Sequence, residues 1–358
     1  MLNQFKEITE FCKLEIPKEH HKKIAVIGAG GIVSSAHLPA YELSGLRIAG
    51  ITDTNLQRAN ALADEYKIAR VYKSVEEILE DTEIEVVDIA VPAQAQPSIL
   101  LAAIKAGKHI LAQKPLAPTV AEAHMLLKEA SKTNLVVGVN QQLRFDEGIA
   151  AAYKMVQCGW VGEVSNFSIT VNLDTPWDLW GWAQQMEQLE IMVHSIHYHD
   201  VVRWFMGEPT RVYALAGKTI GQLPIGETRT ISSYTFSSGA TALVHANHVN
   251  RGGDNSATFR IDGDQGSIRG TLGLLYDYPI GRADTLEVNS HSKSTGGWVS
   301  YPVTTKWIPH AFIGTMGSLL AAISDGSTPR SSLADNVKTI ELVHALYDSI
   351  KTGEAITL

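Results

Sequence analysis

From Lys23 to Asn140 the chain alternates between short runs of consecutive apolar residues and longer segments whose apolar positions recur every three or four residues. The short runs are KIAVIG, LRIAGITD, EIEVVDIAVP, HILA and LVVGVN. Continuous apolar runs suit strands buried on both faces, as in a parallel sheet covered by helices. Helical spacing appears between them in Ile32 to Leu43, NLQRANALADEY, VEEILED, PSILLAAIKAG (stopped by Gly107) and Val120 to Lys132. The pattern predicts a doubly wound parallel sheet of Rossmann type over residues 23–142.

After Asn140 the period changes. EVSNFSITVNL, RVYALAGKTI, TRTISSYTF, TALVHANHV, SATFRIDG, GSIRGTL and TLEVNS follow one another with few helices between them. Such runs predict a large, mostly antiparallel open sheet within an α+β domain, residues 143–358. Helical stretches fall at Glu147 to Cys158 and at about 189–206, 309–324 and 332–352. Residues 1–22 form a separate arm. Phe5, Ile8, Phe11 and Cys12 repeat at helical spacing, and charged residues interrupt any signal-peptide-like apolar stretch. The arm is expected to pack on the body or on a neighbouring subunit. No apolar run reaches the length of a membrane span.

The 358 residues are 45% apolar and 19% charged, enough for a sizeable core, and the net charge is −8. With no basic stripe, a nucleic-acid partner is not expected. Cys12 and Cys158 are the only cysteines and show neither metal-ligand nor disulfide spacing. A reducing compartment, the cytoplasm, is therefore expected.

The first strand runs into GAGGIV and then a helix. Gly28 and Gly30 suit a tight turn with close backbone approach to a pyrophosphate. Gly31 and Ile32 open the helix, whose N-terminus favours an anion. Val33 stands where the third glycine of a G-x-G-x-x-G fingerprint would be. Asp53 ends the second strand, where a carboxylate accepts ribose hydroxyls and repels an extra phosphate, so NAD is expected over NADP. Val91, Pro92 and Gln96 follow the fourth strand on the same sheet edge and are expected to flank the cofactor, as is Gln113.

Lys114 lies at the mouth of the next strand with its backbone restricted by Pro115. A partly desolvated lysine there has a lowered pKa and can bond a substrate hydroxyl or relay its proton. The segment QLEIMVHSIHYHDVVRWFMG adds His194, His197, His199 and Asp200. At 100° per residue His194 and His197 share a face, with Asp200 a step further on, and histidine is the natural base near neutral pH. No third metal ligand stands at a usual spacing, so no metal is expected. Trp177, Trp180 and Trp182 offer faces suited to a sugar ring. Asn140 and Arg144 are candidate donors to substrate oxygens, with His245, His248 and Arg251 weaker ones.

The ordered set of the glycine turn with HLPA, then VP, AGKHILAQKPLA, GVNQQLRF, HSIHYHD and RWFMG resembles the glucose–fructose oxidoreductase, inositol dehydrogenase and MocA family from about Lys23 onward. The resemblance implies a Rossmann domain plus a domain with a large open sheet. It implies NAD(P)-dependent oxidation or reduction of sugars, cyclitols and their derivatives, by homodimers or homotetramers built through the sheet face. Lys114 matches the lysine of the family's E-K-P motif, and His197 the histidine of D-x-x-x-H. Asp200 matches the following acid, an orienting or structural group. Four positions depart from the pattern. Gln113 replaces the glutamate before the lysine, and Val193 the aspartate before the histidine. Ala93 and Gln96 replace an asparagine and a histidine.

His194 is the residue expected to fill the space left at Val193. By the neutral charge of Gln113 alone, Lys114 is expected to hold its proton less tightly than beside a glutamate. The leading expectation is an NAD-dependent dehydrogenase of a sugar, sugar acid, cyclitol or glycoside hydroxyl. Two alternatives stay open: glycoside cleavage through a 3-keto intermediate without net NADH, and a non-enzymatic dinucleotide-sensing regulator.

Overall fold

The computed structural model describes residues 2–358. The chain divides into two compact units. The parallel-sheet unit takes Leu14–Phe145 and Ile308–Ile340. The mixed-sheet unit takes the N-terminal segment through Lys13, then Asp146–Trp307 and Glu341–Leu358.

In the parallel-sheet unit the strands are β1 (Ile24–Ile27), β2 (Ile48–Thr52), β3 (Arg70–Val71), β4 (Val86–Ile89), β5 (His109–Ala112) and β6 (Val137–Val139). They lie in the order β3-β2-β1-β4-β5-β6, and every pairing is parallel. Each residue of β1 and β4 is buried, as continuous apolar runs require when helices cover both faces. Strand order reverses between β1 and β4. The carboxyl ends of β1, β2, β4 and β5 therefore line the edge where such sheets bind ligands. The intervening helices start where short polar side chains can cap them: Asn55, Ser74 and Thr119 each accept backbone N–H groups of the first turn.

The helix His310–Asp325 belongs to this unit, not to the C-terminal domain expected from the sequence. Its Phe312, Met316, Leu319 and Leu320 join Val26, Val86 and Leu111 in one core. The helix is apolar enough to cover either sheet, and its spacing does not say which. The expected boundary at 142/143 is therefore crossed a second time near residue 308 and a third time inside the helix Leu333–Thr352.

The mixed-sheet unit holds β7 (Val164–Asn172), β8 (Arg211–Gly217), β9 (Arg229–Thr235), β10 (Thr241–Asn247), β11 (Ser256–Gly263), β12 (Gly266–Thr271), β13 (Leu286–Ser290), β14 (Val299–Tyr301) and β15 (Ile356–Thr357). Their order is β14-β13-β12-β11-β7-β10-β9-β8-β15, and only β7 and β10 pair in parallel. Burial alternates along β8, β9 and β10, the period-2 signature of a sheet with two unlike faces. The helix Ile196–Met206 packs against β7 and β10. The opposite face leaves Tyr213, Leu215, Ile231 and Leu243 exposed.

The expected arm is divided. The helix Lys6–Phe11 packs on the helix Glu147–Gln157, with Glu7 paired to Lys154 at 2.7 Å and Phe5 stacked on Trp160. From Leu14 the chain belongs to the other unit, whose core takes Ile16. Among the described residues, no helix is long and apolar enough to cross a membrane.

Candidate active site

β1 leads into Gly28, whose φ is 115°. A Cβ there would lie 2.3 Å from the Ala90 carbonyl oxygen, so the turn excludes any side chain. At Gly30 and Gly31 a Cβ would meet nothing within 4 Å. The backbone there is open to a ligand. The following helix begins at Gly31, and the Gly31 and Ile32 N–H groups precede its first bond, from Val33 N–H to the Gly30 carbonyl, which suits an anion. Asp53 stands beside this turn. Its Oδ2 accepts the Ala29 N–H and its Oδ1 the Asn55 N–H, each at 2.7 Å. Asn55, not Asp53, caps the next helix. A carboxylate has about four acceptor sites, so Asp53 braces the turn and keeps capacity for two ribose hydroxyls. Val91 is half-buried and Pro92 exposed just beyond β4. These residues fit a dinucleotide.

Lys114 follows β5 and is half-buried, and its peptide bond to Pro115 is cis. Burial pushes its ammonium down to about 8. Gln96 does not face a cofactor. It is fully buried, and its amide nitrogen donates to the carbonyls of Gln113, Pro115 and Leu116 at 2.6, 2.9 and 3.0 Å, pinning the lysine loop from below. Gln113 also turns inward. Its Oε1 accepts the Lys114 N–H at 2.8 Å and its Nε2 lies 3.1 Å from His37 Nε2. Asn140, expected to touch substrate, is fully buried, with its Nδ2 3.3 Å from the same His37 nitrogen.

Arg144 is likewise structural. It is 2% exposed, paired to Asp335 at 2.6 Å and donating to the Arg330 carbonyl at 2.8 Å. His37 and its partner Asp88 lie outside the candidates that the sequence offers. The signal was present: a lone acid inside the apolar run EVVDIAVP has to find a donor.

In the mixed-sheet unit the histidine segment is a π turn, Glu190–Ser195, continued by the α-helix Ile196–Met206. His194 therefore lies in the π turn and His197 in the α-helix that continues it. His197 is 6% exposed and meets the Trp307 ring edge-on at 5.6 Å. Asp200 is buried. His199 is buried between Ser195 Oγ, 2.9 Å from its Nε2, and Tyr234 Oη, 2.5 Å from its Nδ1. Burial pushes it down to about 4.

Glu190, unremarked in the sequence, is fully buried. Burial raises its pKa, but hydrogen bonds from His248 and Thr230 outweigh that and hold the carboxyl below its usual range. Its Oε1 lies 3.4 Å from His248 Nε2, and Ser195 donates to its Oε2 at 2.9 Å. His248 thus serves this buried charge.

The three tryptophans separate. Trp177 is buried and donates to the His248 carbonyl at 3.1 Å, a packing role in place of the expected substrate contact. Trp182 is 62% exposed on the short helix Gly181–Gln184. Trp180, half-buried, stacks on His194 with centroids 5.5 Å apart and stands edge-on to Tyr278. Among the described residues, no group of three or more histidine, cysteine or acidic side chains could hold a metal.

Residues 22–141 match the model of an oxidoreductase family with an NAD-binding Rossmann fold, and residues 149–269 match the GFO/IDH/MocA C-terminal domain. The chain belongs to the Gfo/Idh/MocA oxidoreductase family. Among relatives in this family, the D-apiose dehydrogenase of Paraburkholderia graminis is 26% identical, covering 94% of this chain and 89% of its own. The NADP-dependent D-xylose 1-dehydrogenase of Haloferax volcanii is 27% identical, over 93% and 98%. Among solved Gfo/Idh/MocA-like structures, a levoglucosan dehydrogenase with NADH and L-sorbose superposes with a TM-score of 0.81 at 24% identity, covering 94% of this chain and 98% of that one. An Agrobacterium radiobacter oxidoreductase holding NAD+, L-tartaric acid and magnesium reaches 0.84 at 22%, with the same coverage. The expected family and both sheet architectures are thereby borne out.

Proposed function

We propose that the chain is an NAD-dependent dehydrogenase acting on a hydroxyl of a sugar, sugar acid, cyclitol or glycoside. Support comes from relatives named for apiose, xylose and levoglucosan. The observation that carries the reading lies in the chain itself. A lysine whose proton affinity burial lowers to about 8 sits at the same sheet edge as an open glycine turn and Asp53. Bound at that turn, NAD supplies the hydride acceptor. The open Gly30–Gly31 backbone would hold its pyrophosphate, and Asp53 would accept its adenine-ribose hydroxyls.

The chain's own groups handle the proton. In the parallel-sheet unit Lys114 Nζ, in its neutral form, bonds a substrate hydroxyl and takes its proton, and in the mixed-sheet unit His197 offers an imidazole nitrogen for the same task. Trp180 and His194 present a flat aromatic surface to the substrate's C–H face. The deciding experiment is NADH formation by purified protein across a panel of sugars, cyclitols and glycosides. Net NADH with at least one member supports the reading. Sugar release from glycosides without net NADH, or no reaction with any member, refutes it.

Two further assignments belong to this proposal. A homodimer or homotetramer is supported by Tyr213, Leu215, Ile231 and Leu243 on the uncovered sheet face, and light scattering tests it. A cytoplasmic setting is supported by Cys12 and Cys158 remaining thiols.

A further inference from the structure

We propose that Gln113 and His37 act as positioning residues for Lys114: one amide holds the lysine's backbone with its oxygen and keeps His37 uncharged with its nitrogen. The proposal rests on reading Lys114 as the proton-handling residue.

One backbone group in the cluster has no choice of role. The Lys114 backbone N–H can only donate, and the Gln113 side chain accepts it at 2.8 Å. That contact fixes which end of the amide is oxygen. The other end is an NH2 group, which can only donate, and it lies 3.1 Å from His37 Nε2. His37 Nε2 must then be an acceptor and carry no proton. The Asn140 amide nitrogen approaches the same atom at 3.3 Å and agrees with that assignment.

The imidazole proton is therefore on Nδ1, where it is donated to Asp88 Oδ2 at 2.7 Å. Tyr41, one helical turn on, donates to the same oxygen at 2.5 Å. Phe312 closes the remaining side, its ring edge-on at 4.9 Å. Of these neighbours only Asp88 is charged, and two donors serve it. Asp88, His37, Tyr41, Asn140 and the Gln113 side chain are all buried. The result is a chain of fixed direction: Asp88 carboxylate, neutral His37, Gln113 amide, Lys114 backbone.

The chain's direction changes what substitution at 113 does. A glutamate there would still take the Lys114 N–H with one oxygen. Its second oxygen would face His37 Nε2, where an acceptor cannot pair with an acceptor. A proton has to enter, and His37 becomes an imidazolium between two carboxylates. The new negative charge arrives together with a new positive one. Lys114 then feels much less than the field of a lone glutamate. This modifies the sequence expectation that charge at 113 by itself tunes the lysine.

Nitrogen-15 spectra of the histidine side chains in the full-length protein test the proposal at neutral pH. The native spectrum is expected to contain one neutral imidazole locked with its proton on Nδ1. In Gln113→Glu one of the thirteen histidines is expected to become doubly protonated. Absence of a locked Nδ1–H form in the native protein, or no histidine changing charge in Gln113→Glu, overturns it. The native spectrum alone decides if the variant does not fold.

The kinetic readout is the limb of the kcat/KM profile that Lys114 sets. Gln113→Glu is expected to move it upward by about half a unit or less. Gln113→Glu combined with His37→Gln, which cannot take up the proton, is expected to move it by about one unit or more. Equal shifts overturn the coupling. If Lys114→Ala instead keeps normal turnover, the proposed function fails, while the spectra still report on the Gln113–His37 lock.

Discussion

Trp180 lies over the His194 ring, with planes 18° apart and centroids separated by 5.5 Å. Both side chains are half-buried, so the pair presents a face as well as a packing contact. Trp180→Ala is expected to raise KM for the substrate about 5–20-fold while kcat changes less than about threefold, matching the loss of about 1–2 kcal/mol of uniform binding. Trp182→Ala, at an exposed position, is expected to leave both constants unchanged. Steady-state kinetics with any accepted sugar checks both.

Lys114 predicts a pH dependence. Burial lowers its proton affinity to about 8, and the neutral amine is the form that takes a proton. In the oxidation direction kcat/KM is expected to rise as pH increases through about 8 and then level off. Lys114→Ala is expected to remove that limb and lower kcat about 10²–10⁴-fold. A pH–rate series on both proteins measures this.

Asp53 has two duties, and a substitution separates them. Asp53→Ala is expected to weaken NAD at least about tenfold and to abolish discrimination against NADP. It also removes the acceptor for the Ala29 and Asn55 N–H groups, so a modest fall in Tm is expected alongside. Fluorescence titration with each cofactor gives the first, and calorimetry the second.

Asp146 and Asp284 form a buried carboxyl pair in the mixed-sheet unit. Burial pushes Asp284 well above the carboxylate range, and the adjacent Asp146 pushes it further. Asp146 is raised too, chiefly by burial. In the unfolded chain such groups ionise near about 4. Their contribution to stability is therefore complete below that pH and declines as pH rises through the raised folded values. Tm is expected to fall as pH rises above about 4. Asp284→Asn keeps the acceptor for the Gly273 N–H and is expected to flatten that fall. Thermal scans across pH test the sign.

The sequence disclosed much of this because certain residues have few alternatives. Consecutive apolar strands can only be buried on both faces, and a glycine turn between strand and helix has one common use. Lys114 was legible for the same reason, at a strand mouth before proline. Arg144 and Asn140 were not. Both were read as substrate donors because arginine and asparagine usually face water, yet Arg144 is neutralised by Asp335, a partner far along the chain. Gln96 looked like a cofactor neighbour until its three backbone acceptors were seen. The π turn at Glu190–Ser195 adds one residue to a helical turn and leaves no mark on hydrophobic spacing, so a segment that reads as one regular helix is two. His37 was visible only as part of HLPA. Its importance depends on Asp88 and Gln113, which the fold brings to it from β4 and from the loop after β5.

The late arrival of one helix has a consequence for synthesis. His310–Asp325 packs against β5 and β6, whose residues leave the ribosome long before it does. Until translation passes residue 340, Leu111 and its neighbours have no cover from Phe312, Met316 and Leu319. The nascent parallel-sheet unit thus leaves apolar surface open that the finished fold covers. For the same reason, a fragment cut at residue 142 would carry the complete glycine turn and Lys114 on an unfinished core.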